Sequence, residues 1–160
     1  MALVLLLATL VAAPGALEGV VVYVADGDTI HVRLGEHVEK VRYIGINAPE
    51  VPHPGHERTV PSRRWTSFPH TAAAGEAARR INLELVTGRQ VRLELARQQR
   101  DNYGRLLAYV WVGDVMINAE MVRRGYAEVM SIPPDFTHRV LFLRLQDEAR
   151  QARRGLWGSP

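Results

Sequence analysis

A chain of 160 residues, 47% of them hydrophobic, with no internal repeat or low-complexity tract, has the material for one domain with a real core. Twenty Lys and Arg against seventeen Asp and Glu leave a formal charge of +3, and a pI near 9.7 leans mildly toward polyanionic partners. The absence of cysteine excludes a disulfide framework and thiolate chemistry, while leaving the redox compartment open. Nineteen of the twenty basic residues are arginine, Lys40 being the exception. That usage suits bidentate phosphate binding, and it suits a compositional bias on a solvated surface equally well.

Residues Ala2 to Ala13 form an apolar run broken only by Thr9 and followed by Pro14-Gly15-Ala16. Twelve residues are too few to span a bilayer but fit the core of a signal peptide, so a secreted or periplasmic protein is expected. No basic residue precedes the run, which leaves an uncleaved anchor or a mis-set start as alternatives. The domain is expected over residues 17–160. Its first strand runs from Gly19 to Ala25, β-branched and aromatic, and stops at Asp26-Gly27. Thr29 to Leu34 and Val38 to Ile46 alternate apolar and polar around a Gly35-Glu36 turn, as two half-buried antiparallel strands do.

A long loop rich in proline follows from Val51 to Pro69. Thr71 then caps a helix reaching Val86, whose Ala74, Ala78, Ile81 and Leu85 share one face, with Gly88 as its stop. Gln90 to Leu95 and Leu106 to Val112 supply strands four and five, joined through the turn Asp101-Asn102-Tyr103-Gly104-Arg105. After the Gly113-Asp114 turn, Asn118 is expected to cap a short helix with Glu120 in its first turn and Arg123 and Arg124 in its last, ended by Gly125. Beyond Pro133-Pro134, Thr137 opens a last helix that buries Leu141, Leu145, Ala149 and Ala152 and turns Arg139, Arg144, Arg150 and Arg153 outward. Five strands with helices after the third and the fifth describe an α+β protein, mainly a five-stranded OB-fold barrel with three helices.

The chemistry concentrates between Asp26 and Glu50. A hairpin returns its two ends to the same end of the sheet, so Asp28, Asn47 and Glu50 face one pocket together with Arg42. Oxygen donors with no Cys or His among them suit a hard cation such as Ca²⁺ or Mg²⁺, and an arginine facing that cation would have a phosphate to hold. Each residue also has a plainer reading. Asp26 and Asp28 are ordinary turn formers, Glu50 is a solvated charge after Pro49, and Arg42 and Arg105 are partners in structural ion pairs, with Asp28, Glu50 or a neighbouring turn residue. Tyr103 and Tyr109 read as packing residues. His53, His56 and His70 cluster without the spacing a metal site needs.

Four pieces in order, DGDT at Asp26 to Thr29, VRYIGINAPE at Val41 to Glu50, DNYGRLLAYV at Asp101 to Val110 and INAEMVRRGYA at Ile117 to Ala127, resemble the thermonucleases of the staphylococcal nuclease-like family. The resemblance covers about residues 19–158. It implies a Ca²⁺ site built from the Asp28 carboxylate, the Asn47 side chain and the Ala48 carbonyl, with Asp26 behind it. It implies that Glu50 orients or deprotonates the attacking water and that Arg42 and Arg105 hold the phosphate. The implied activity is a monomeric, sugar-nonspecific nuclease that leaves 3′-phosphate ends on DNA and RNA. Two departures stand out. Asn47 replaces the family's usual aspartate, removing one charge from the cation site, and Ser131-Ile132-Pro133 stands where the family's best-known member has nucleotide-contacting tyrosines. Tyr103, Trp65 or Phe68 would then have to supply base stacking. The alternative is a nucleic-acid-binding module whose metal site is too weak for turnover; an adaptor domain of an envelope complex is a third reading.

Overall fold

The computed structural model describes residues 16–52, 67–68, 71–130 and 137–158. The expected signal segment through residue 15, His53, His56, His70, Trp65 and Ser131-Ile132-Pro133 lie outside them. In chain order the described elements are β1 (Ala16–Val24), β2 (Thr29–Leu34), β3 (His37–Tyr43), β4 (Ile46–Asn47), α1 (Ala72–Val86), β5 (Gln90–Arg100), β6 (Leu106–Val112), β7 (Val115–Met116), α2 (Ile117–Arg123), β8 (Glu128–Val129) and α3 (Arg139–Gln151), then a 3₁₀ turn, Gly155–Trp157.

Strand β1 sits between antiparallel β2 and β5, with β3 beyond β2 and β6 beyond β5. A parallel pairing of Val41 with Leu106, Arg42 with Leu107 and Tyr43 with Ala108 joins β3 to β6. That contact closes five strands into the expected barrel and removes its two free edges. Alternation then decides what goes inside. Ile30, Val32, Val41, Tyr43, Leu93 and Val110 are wholly buried, each aliphatic one worth about 1.5–3 kcal/mol against exposure.

Several boundaries differ from the expectation. Strand β1 begins at Ala16, where it pairs with Glu94. The expected strand from Val38 to Ile46 breaks after Tyr43, because Gly45 takes a left-handed φ of 77° and sends Ile46 and Asn47 off to pair with Val129 and Glu128. Strand β5 runs on to Arg100 across an irregularity after Leu95.

The helices are positioned by polar side chains as much as by apolar ones. At α1, Thr71 accepts from the Ala74 amide at 3.1 Å, the cap anticipated, and Gly88 follows at φ 66°. Asn118 is a correction: α2 begins at Ile117 with Met116 at the cap position, and Asn118 lies inside the helix with its side chain turned into the barrel. Its amide accepts from Val110 N at 2.9 Å and donates to the carbonyls of Ile44 at 3.0 Å and Ala108 at 3.3 Å. Three buried main-chain groups claim it, which outweighs a capping role at a helix end. Helix α3 starts at Arg139, not Thr137, and its buried stripe is Phe142, Leu145, Gln146 and Ala149. Phe142 is drawn in by an edge-on contact with Tyr109, ring centres 6.1 Å apart. Gln146 is drawn in by the Val129 amide, 2.8 Å from its Oε1. Ala152 is left exposed.

Candidate active site

The turn between β1 and β2 carries the first two carboxylates. Main-chain amides of Ala25 and Asp26 both donate to the Thr29 carbonyl, at 3.0 and 3.4 Å, and Asp26 Oδ1 accepts from Asp28 N at 3.1 Å. Helix α1 holds this turn from behind. Asn82, fully buried, donates to the Asp26 carbonyl at 2.9 Å and accepts from the Tyr43 hydroxyl at 2.8 Å. Gly27 is wedged between the turn at Ala48 and the helix at Ala78, since a Cβ there would lie 2.6 Å from one methyl and 2.8 Å from the other. Small residues on α1 therefore let the helix lie against the site.

Asp28 is buried at the centre. Its Oδ2 accepts from Ala48 N at 2.7 Å and meets Arg42 at 3.0 Å; its Oδ1 accepts from the Thr29 hydroxyl at 3.2 Å. The same terminal nitrogen of Arg42 donates to Asn47 Oδ1 at 3.1 Å, and the other to the carbonyls of Tyr43 at 2.6 Å and Ile46 at 3.1 Å. Arg42 thus gathers Asp28 and Asn47 around one guanidinium. This joins β2, β3 and β4 at the end of the barrel.

Charge is unbalanced there. Burial pushes the Asp28 carboxyl up to about 7, with Asp26 adding to the rise and Arg42 opposing it. Asp26 is likewise raised, by burial first and then by Glu50. One guanidinium does not offset two desolvated carboxylates with a third acid close by. Glu50 stands exposed at the rim, its main chain seated on Gly75 of α1, where a Cβ would lie 2.2 Å from the Glu50 carbonyl oxygen.

Arg105 arrives from the β5–β6 turn. Its Nε meets Asp101 Oδ2 at 2.7 Å, so the turn residue proves to be its ion-pair partner. Burial works against ionisation of Asp101, but hydrogen bonds from the Arg105 side chain and main chain outweigh it and hold the carboxyl below its usual value. The Arg105 guanidinium lies over the Tyr103 ring at 5.5 Å. Tyr103 is 85% exposed, so the packing reading fails for it; Tyr109, buried among helix α3 residues, does pack. Along β6, Arg105 is two residues before Leu107, which pairs with Arg42. The two arginines therefore share the outer face of the sheet, about 7 Å apart along the strand direction.

Phe68 does not supply a stacking platform. It is buried against Trp157, ring centres 4.4 Å apart, and its main-chain N donates to Glu128 Oε1 at 2.8 Å. Glu128 pairs with Asn47 in the β4–β8 ladder, so this buried carboxylate, which sequence reasoning missed, links the site to the segment at residue 67. Asn82 was missed too. Its one signal was a polar residue beside Ile81 on the buried face of α1. Among the described residues no three His, Cys, Asp or Glu side chains come together as a metal cluster, and a cation here would draw on the Asn47 amide and a main-chain carbonyl as well as Asp28. No described helix is long and apolar enough to cross a membrane.

The family model described as "Staphylococcal nuclease homologue" matches residues 40–159. Over 134 residues the chain is 35% identical to the thermonuclease of Staphylococcus intermedius, covering 84% of this chain and 72% of that protein. It is 30% identical over 139 residues to the thermonuclease of Staphylococcus hyicus, with 87% and 75% covered. An uncharacterized endonuclease of Escherichia coli O157:H7 is 34% identical over 142 residues, with 88% and 77% covered.

Proposed function

The chain belongs to the staphylococcal nuclease homologue family and is a phosphodiester-hydrolysing nuclease, and we propose that it cuts DNA and RNA with calcium at the Asp28–Asn47 site, leaving 3′-phosphate ends. The observation that carries the calcium reading is the pair of carboxyls, Asp26 and Asp28, buried together in one turn where a single guanidinium, that of Arg42, meets Asp28 Oδ2 at 3.0 Å. A site short of positive charge, lined by hard oxygen donors, fits a divalent cation. Asp28, the Asn47 side chain and the Ala48 carbonyl would hold it, with Asp26 behind. The cation would supply charge stabilisation for the phosphoryl oxygens.

Hydrolysis of a phosphodiester builds a second negative charge on the equatorial oxygens. Arg42 and Arg105, on one face of the sheet, bracket that charge and stabilise the transition state more than the ground state. Glu50, exposed at the rim, is the carboxylate placed to take a proton from water. Its seat on α1 fixes the direction of attack. Asp101 aims the Arg105 side chain and gives it up in part when phosphate arrives. Export to the periplasm or the medium would bring such an enzyme to free nucleic acid.

Single-stranded DNA and RNA incubated with the protein in Ca²⁺, in Mg²⁺ and in chelator, followed by end-group analysis, tests this reading. Cleavage in Ca²⁺ that chelator abolishes, with phosphate on the 3′ end, is the expected result. Cleavage that survives chelator, or 5′-phosphate products, refutes it. The binding-module alternative is favoured by no observation of the site: Glu50, Arg42 and Arg105 are all retained.

A further inference from the structure

The outer face of the barrel carries a cationic and aromatic row that starts at Arg105 and runs away from the site through Lys40, His31 and Tyr23, three residues the reaction does not use. Strand registers align it. Tyr23 of β1 is opposite His31 of β2, His31 is opposite Lys40 of β3, and Val41 pairs with Leu106 in the parallel closure, which sets Lys40 beside Arg105 one residue earlier. Thr29, His31 and Arg33 alternate outward on β2, as do Arg42, Lys40 and Val38 on β3. The row through Tyr23, His31, Lys40 and Arg105 therefore lies one two-residue step from Arg42.

Its chemistry suits a polyanion carrying flat bases. Tyr23 is 47% exposed and meets the His31 ring edge-on, centres 5.1 Å apart. Burial and the adjacent Lys40 lower the His31 pKa, so at neutral pH the imidazole is an uncharged ring beside Tyr23. Lys40 and Arg33 are exposed and supply the charge. Glu39 points to the other side of β3, where Arg100 holds it at 2.8 Å, and none of the outward positions from Thr29 to Arg33 or from Val38 to Arg42 is acidic. Four strands at about 4.8 Å spacing make the row about 14 Å across, the length of a few nucleotides. At its far end Tyr103 offers a second exposed ring beside Arg105.

We propose that this row is a track for the single strand being cut, with nucleotides beyond the scissile phosphate crossing β3 and β2 from Arg105 to Tyr23. Lys40 and Arg33 take phosphates, and Tyr23, braced by His31, stacks a base. The inference rests on the nuclease reading for the place of the scissile phosphate, but the binding it describes is measurable without cleavage. It also places a stacking surface on a strand of the barrel.

Fluorescence anisotropy with labelled thymidine dinucleotide and octanucleotide, in a Glu50→Ala background so that the strand stays whole, tests it. Tyr23→Ala weakens octanucleotide binding about tenfold, and the loss grows with oligomer length. Tyr23→Phe retains the affinity. Lys40→Ala lowers the slope of log K against log salt by about 0.7, the value for one phosphate contact on a single strand. Arg144→Ala, on the far face of α3, leaves both measures as they were. Octanucleotide affinity and salt slope matching the parent in both Tyr23→Ala and Lys40→Ala overturn the track. If the wild-type chain cuts nothing, the nuclease reading fails while these binding results still decide the track.

Discussion

Gly75→Ala separates positioning of Glu50 from stability. A Cβ at residue 75 would lie 2.2 Å from the Glu50 carbonyl oxygen, 2.6 Å from its carbon and 3.0 Å from Val51 N. All three are main-chain atoms, so no flexible side chain can swing aside, and the Glu50 segment must retreat by about 1 Å to regain ordinary contact. Misplacing a catalytic group by that much costs about 100-fold in rate. On stability the substitution works in both directions: overpacking costs about 1–3 kcal/mol, and replacing a helical glycine by alanine returns about 1 kcal/mol. The expected result is kcat/KM on single-stranded DNA lower by about two orders of magnitude, with the urea midpoint corresponding to a loss of at most about 2 kcal/mol. Wild-type kcat/KM in a folded Gly75→Ala protein would refute the argument that α1 sets the position of Glu50.

Asn118→Ala strands Val110 N and the Ile44 and Ala108 carbonyls without their side-chain partner, and chemical denaturation should show a loss of at least about 1–3 kcal/mol. Asn47→Asp returns a charge to the cation site, so calorimetry should find tighter Ca²⁺ binding than in the wild type. Burial pushes the Glu120 carboxyl up, but hydrogen bonds from Arg123 and Arg124 prevail and set it below its ordinary value of 4.5. A depressed folded-state value means a stabilisation present above pH 4.5 and lost as pH falls through the folded value. The stability gap between wild type and Glu120→Gln should therefore be widest above that pH and narrow on acidification; a gap that widens in acid contradicts the assignment.

Local patterns made much of this fold legible. Alternation gave Thr29–Leu34 and Leu106–Val112 with the bounds observed, and Thr71 marked the start of α1 because capping is a contact within four residues. The closure of β3 on β6 was not legible strand by strand, since it pairs residues about 65 positions apart and no short-range signal encodes it. Buried polar residues were the other blind spot. Asn82, Asn118, Glu128 and Gln146 look like surface residues in a one-dimensional pattern, and only the folded chain reveals the main-chain groups they satisfy. On α3 the pattern gives Leu145 and Ala149 as buried, as observed, but favours Leu141 and Ala152 where the structure buries Phe142 and Gln146. At the site, hairpin geometry brought Asp28, Arg42 and Asn47 together from sequence alone. The burial that unbalances their charge needed the helix behind them.

The most direct test of the account is the single-turnover cleavage rate of Glu50→Ala on single-stranded DNA in saturating Ca²⁺, measured beside its affinity for the strand. The account predicts a rate lower by about 10²–10⁴ with affinity retained. A rate equal to that of the wild type would mean that another group activates the water, and the mechanism proposed for this site would be wrong.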